Sequence, residues 1–172
     1  GASRRVPGWV TMREIRIAAA QFEHRDGDKA FNLQRIDDLV AGAVALGGEV
    51  VSFHEGSITG YSYLQSATRD ELMQVAEEVP GGPSCKALGE ISARHGVPVL
   101  AGLVERDGQE IYNTYVCMSP EGPVARFRKL HAFLNPHLSS GSEYCVFDLL
   151  GCRVGILICY DNNLFENTRI VA

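Results

Sequence analysis

The chain has 172 residues, 45% of them hydrophobic and 22% charged, with a net charge of −5; this is enough for one domain-sized core and too little for a second full domain. A pI near 5.5, with basic residues scattered except at Arg126, Arg128 and Lys129, excludes a surface built for polyanions, so no nucleic-acid partner is expected. Apolar runs fall far short of the ~20 residues of a membrane helix and no leader-like apolar segment opens the chain, so the expectation is a cytoplasmic protein without a membrane partner.

Residues 1–11 (GASRRVPGWVT) lack periodicity and read as a loose extension or expression scar, leaving 12–172 as the folded domain. Ile15 to Phe22 (IRIAAAQF) is a short apolar strand whose small alanines let another layer approach closely, and it is expected to lie centrally in its sheet. Asp26 or Asp28 caps a helix from Lys29, on which Leu33, Ile36, Val40 and Ala43 form one apolar face, and Gly47 and Gly48 stop it. Glu49 to Phe53 is a second buried strand running into His54, Glu55 and Gly56, with Gly60, Tyr61 and Tyr63 in the loop beyond. Thr68 to Glu78 reads as a helix ended by Pro80 and Gly81, and Ser84 and Cys85 open another that carries Leu88 and Ile91 on one face and ends at Gly96. Pro98 to Val104 is a third strand, and the alternation of strands and helices to this point favours an α/β layered fold with right-handed crossovers.

From Arg106 the pattern changes. A turn at Arg106, Asp107 and Gly108 leads into a strand from Ile111 to Met118, the turn SPEG at Ser119 to Gly122, and a return strand from Pro123 to Leu130, which predicts antiparallel neighbours. After an irregular stretch from His131 to Ser142, a second hairpin pairs Tyr144 to Leu149 with a buried strand that ends at Cys159. Tyr160 to Asn163 form a turn, and Leu164 to Val171 suit a helix.

Three reactive groups thus stand at strand ends or just beyond: Glu55 after VVSFH, Lys129 after VARFR and Cys159 after VGILI. Taken singly, each has an ordinary reading as a loop carboxylate, a solvated cation or a structural thiol. Together they suit attack on an unactivated carbon–nitrogen bond. The thiol needs a base that also returns the proton to the leaving nitrogen, which Glu55 can be. The oxyanion needs fixed positive charge, which Lys129 and the backbone N–H of Tyr160 can supply. The remaining cysteines, Cys85, Cys117, Cys145 and Cys152, form no CxxC pair and match no histidine spacing, so neither a disulfide framework nor a metal centre is expected.

Six blocks carry a resemblance over Met12 to Ala172: IRIAAAQF, VSFHEGSITGY, VPGGP, GLVERDGQEIYNTYVCMSPEG, RKLH and GILICYDNNLFEN. The chain resembles the nitrilase superfamily of carbon–nitrogen hydrolases. The resemblance implies an α-β-β-α sandwich and a Glu–Lys–Cys triad on Glu55, Lys129 and Cys159. It further implies substrate contacts from Tyr61, Asn135 and Asp161, and neither metal nor organic cofactor. The expected substrate is a small linear amide, carbamoyl compound or nitrile, with ICYDNNL nearer the amidase-like branches. His54 and Phe165 stand where the family usually has proline, before Glu55 and Glu166 respectively. The second glutamate that many members carry after the lysine has no counterpart in FLNPHLSSG; Glu143 is out of register and Asn135 is an approximate stand-in. The family domain usually exceeds two hundred residues, so a homo-oligomer or a complementing C-terminal piece is expected to cover the apolar strands VGILI and IRIAAAQF. Two other readings are a Cys–His acyl-transfer site drawing on His24, His54, His95, His131 or His137, and a binding subunit or inactive fragment with the same fold.

Overall fold

In the computed structural model, which describes residues 14–172, five strands form one sheet in chain order: β1 (Ile17–Ala20), β2 (Val50–Phe53), β3 (Val99–Asp107), β4 (Glu110–Ser119) and β5 (Gly122–Arg128). The extension expected at 1–11 lies outside the described residues. β1, β2 and β3 run parallel, joined by α1 (Lys29–Ala45) and then by α2 (Tyr61–Ser66), α3 (Arg69–Val75) and α4 (Pro83–His95). β4 and β5 return antiparallel. Local chemistry sets the helix ends: the Asp28 side chain accepts the Phe31 N–H at 3.0 Å, Thr68 and Glu71 form a reciprocal capping box, and Gly96 closes α4 in the left-handed region.

Strand period two sorts the core into two layers. Val51, Phe53, Val99, Ala101 and Leu103 face α1 and α4, where Ala18 and Ala20 also pack, so the small side chains of β1 do admit a close layer. Val50, Leu100, Tyr115, Cys117 and Phe127 face the other way, against a hairpin of β6 (Cys145–Leu149) and β7 (Cys152–Ile156). α5 (Phe165–Val171) lies on the far side of that hairpin, so close that a Cβ on Gly155 would stand 2.7 Å from the Val171 Cβ. The layers therefore run helices, sheet, hairpin, helix, the α-β-β-α order implied by the resemblance.

Four expectations need correcting. Among the described residues β1 is an edge strand of the five-stranded sheet, pairing with β2 alone, and Ile17 is 65% exposed. Tyr61 and Tyr63 lie in the short helix α2, not in a loop. β3 runs on to Asp107 because its antiparallel partner extends equally far, pairing Asp107 with Glu110. The strand before Cys159 stops at Ile156 and is half-exposed, since it belongs to a two-stranded ribbon with a solvent-facing side at Arg153.

Gly102 of β3 seats the turn that carries Glu55. Its carbonyl accepts the Ile58 N–H at 2.9 Å, its N–H donates to Ser57 Oγ at 3.2 Å, and a Cβ there would meet Gly56 N at 2.4 Å. Backbone cannot yield as a flexible side chain can. Gly102→Ala is therefore expected to cost about 1–3 kcal/mol and to displace Glu55; urea denaturation and steady-state kinetics on the same sample check both effects.

Candidate active site

Glu55 and Lys129 come from opposite ends of the chain's architecture and meet at the C-terminal end of the parallel strands. Lys129 follows β5, where its N–H donates to the Asn113 carbonyl at 2.9 Å, and its side chain is only 2% exposed. Its Nζ donates to Glu55 Oε1 at 2.6 Å. Asn113 Nδ2 donates to the same oxygen at 2.7 Å. Oε1 of Glu55 is thus held by two donors. Asn113 stands opposite Lys129 only because the β4–β5 register shifts by one residue between Cys117 and Met118; carried on unshifted, the SPEG turn would set it against Arg128, so the sequence does not reveal this partner.

Cys159 opens a single 3-10 turn, Cys159–Asn163, and is exposed. Its φ of +47° places a non-glycine residue in the left-handed region, a conformation that costs on the order of 1–3 kcal/mol and persists only where surrounding contacts impose it. Asp161 supplies those contacts. Fully buried, it accepts the His131 N–H through Oδ1 at 3.0 Å, and the Leu130 and Ile158 N–H groups through Oδ2 at 3.2 and 3.3 Å. The turn bearing Cys159 is thereby bound to the segment that immediately follows Lys129. Asp161→Ala would take the acceptor from three main-chain N–H groups, one buried and two half-buried, and is expected to destabilise the fold by about 2–4 kcal/mol, read as a lower urea midpoint.

This placement differs from the substrate contact expected of Asp161: its carboxylate accepts three main-chain N–H groups. Asn135 is likewise buried, donating to the Ala67 carbonyl at 2.8 Å and accepting the His137 N–H at 3.0 Å. It anchors the 131–142 loop to the end of α2 and does not stand in for a second carboxylate at Lys129. Among the described residues the ion pair of Lys129 is with Glu55, and Glu143 is exposed beside Arg126 and Arg128. Tyr61 packs its ring into the cluster around Leu64 and Leu72.

Glu55 and Cys159 line one cleft of about 340 Å³ between the main sheet and the β6–β7 hairpin, walled by Ile17, Leu100, Tyr115 and Ile156. Tyr160, the next residue, is edge-on to Phe133 at 4.9 Å between centroids. The other thiols are placed differently. Burial, then the charges of Glu77 and Glu105, pushes Cys85 up to about 12; burial and then Cys145 does the same to Cys117. Burial also raises Cys145. Of the histidines, His95 meets Asp37 at 2.6 Å, but on the helical layer across the main sheet from Cys159, and His24 lies 3.5 Å from Asp26. His54 is turned to His24. Among the described residues no three His, Cys, Asp or Glu gather as a metal centre, and no helix is long and apolar enough to cross a membrane.

Comparison with known proteins agrees with this architecture. The chain is 29% identical over 161 residues to a nitrilase of Pyrococcus abyssi, covering 92% of this chain and 60% of that protein. It is 31% identical over 160 residues to an (R)-stereoselective amidase of Pseudomonas sp., covering 92% and 56%, and 29% identical over 176 residues to an omega-amidase of Homo sapiens, covering 94% and 60%. The chain thus spans about 60% of the length of the curated relatives it matches. The amidase of Nesterenkonia sp. AN1 superposes with a TM-score of 0.74 at 21% identity, over 91% of this chain and 61% of that one. A CN-hydrolase superfamily protein of Xanthomonas campestris superposes with a TM-score of 0.75 at 23% identity, over 89% and 56%. With the carbon–nitrogen hydrolase sequence model matching residues 16–172, this chain belongs to the carbon–nitrogen hydrolase family, within the nitrilase superfamily.

Proposed function

We propose that the protein hydrolyses a non-peptide carbon–nitrogen bond in a small linear amide or carbamoyl compound, through a covalent thioester on Cys159. The observation that carries this reading is the buried 2.6 Å pair of Lys129 Nζ and Glu55 Oε1, whose Glu55 lines the same cleft as an exposed thiol at a strained turn. Glu55 Oε2 takes the Sγ proton as sulfur attacks the amide carbon, and the oxyanion receives Lys129 Nζ and the Tyr160 N–H. Collapse breaks the C–N bond, and the protonated Glu55 returns its proton to the departing amine. Water, deprotonated by Glu55, then attacks the thioester carbon; the acid leaves and the thiol is restored. An amide is favoured over a nitrile because two of the three relatives above, from Pseudomonas and Homo sapiens, are named amidases, against one named a nitrilase.

The test is intact-mass spectrometry of acid-quenched protein turning over a short aliphatic amide. An acyl adduct mapping to Cys159, lost on incubation in water and absent in Cys159→Ser, is the expected result. A protein that releases ammonia with no adduct, and does so equally well as Cys159→Ser, would overturn it.

A further inference from the structure

Beside Glu55 the structure holds two imidazoles that the mechanism above leaves unused. His24, in the β1–α1 connection, accepts the Tyr61 main-chain N–H at Nε2, 3.0 Å away, and its Nδ1 lies 3.3 Å from His54 Nε2. One fixed donor settles the roles. A peptide N–H only donates, so His24 Nε2 carries a lone pair and the neutral ring keeps its proton on Nδ1, which donates to His54 Nε2. His54 Nε2 then accepts, and its own proton sits on Nδ1, a buried atom with no hydrogen-bond partner among the described residues. A further proton sets donor against donor, either His24 Nε2 against the Tyr61 N–H or His54 Nε2 against His24 Nδ1.

The surrounding charges do not relieve that conflict. Asp26 Oδ1 stands 3.5 Å from His24 Nε2, yet the Tyr61 N–H already occupies that nitrogen. The Glu55 carboxylate is turned to Lys129 and Asn113. Arg25 stacks 3.8 Å above the Phe31 ring and faces Asp28, and Phe22 packs edge-on to His54 with centroids 5.0 Å apart. Burial first, and then the His24 ring, hold His54 below the ordinary histidine value.

We propose that the Tyr61–His24–His54 relay is a positioning device for Glu55: its neutral form ties the start of α2 and the β1–α1 connection to the residue immediately before Glu55, and protonation breaks it. This rests on the reading of Glu55 as the base. A His with a lowered folded value is protonated first in the unfolded chain. Its contribution to stability is therefore whole above about pH 6.5 and is lost as pH falls from there toward the lowered folded value.

Histidine C2–H exchange followed by mass spectrometry on the active protein reads the titration of His54 directly and without turnover. The expected midpoint lies below about 6.5; a midpoint at or above that value overturns the relay. Two variants add the kinetic side. His54→Gln keeps an oxygen able to accept from His24 Nδ1, whereas His54→Phe keeps the contact with Phe22 and leaves that donor unpaired. Near pH 8, His54→Gln is expected to hold kcat within about threefold and His54→Phe to lose roughly tenfold in kcat at unchanged KM. Equal kcat in the two variants overturns the proposal, and if His54→Phe does not fold, the exchange midpoint decides alone. Should Cys159→Ser keep full turnover, it is the catalytic reading that fails, while the exchange result stands.

Discussion

Replacing Cys159 by alanine is expected to lower amide turnover by on the order of 10⁴-fold or more while leaving the fold intact. The thiol is exposed, so its removal opens no cavity, and alanine occupies the φ of +47° at a cost like that of cysteine. The same geometry predicts labelling order. Cys85 and Cys117 are fully buried and pushed up to about 12, so at neutral pH they present almost no thiolate. Iodoacetamide is expected to modify Cys159 first and to abolish turnover in step. Peptide mapping that finds another cysteine alkylated first, with activity retained, would remove Cys159 from its role.

Lys129→Ala is expected to cost on the order of a hundredfold or more in kcat/KM, as loss of an oxyanion donor does elsewhere. It should also destabilise the protein by about 3–5 kcal/mol. Taken singly in the sequence, Lys129 has the ordinary reading of a solvated strand-end cation. The structure changes that expectation, because Lys129 is 2% exposed and its removal leaves the Glu55 carboxylate, itself 11% exposed, with Asn113 as its remaining donor. Lys129→Met separates the two effects by keeping the aliphatic stem. It is expected to recover part of the urea midpoint and none of the rate, and a folded Lys129→Met variant with parental turnover would end the oxyanion assignment.

What the amino-acid sequence determined by itself is whatever local chemistry encodes. Asp28, Thr68 and Gly96 bound their helices through contacts within a few residues, and the SPEG turn makes β4 and β5 antiparallel neighbours, although the register beyond Cys117 is shifted by one residue. The six blocks pointed to Glu55, Lys129 and Cys159 before any coordinates. Periodicity, however, states which face of a strand is covered and not what lies beside it in the pairing direction, so β1 read as central and stands at an edge. The same limit put Val154 to Ile158 in a buried strand when the hairpin ribbon leaves one side open. Partners of buried polar groups are the other part that only tertiary structure decided. Lys129 and Glu55 meet across 74 residues, and Asn113 joins them only because β4 lies beside β5. Asp161 and Asn135 look free to greet a substrate until backbone amides and carbonyls from other segments claim them. A buried polar atom must be satisfied by whatever the fold brings within about 3 Å, and which groups those are is a property of the packed chain, not of the neighbours in sequence.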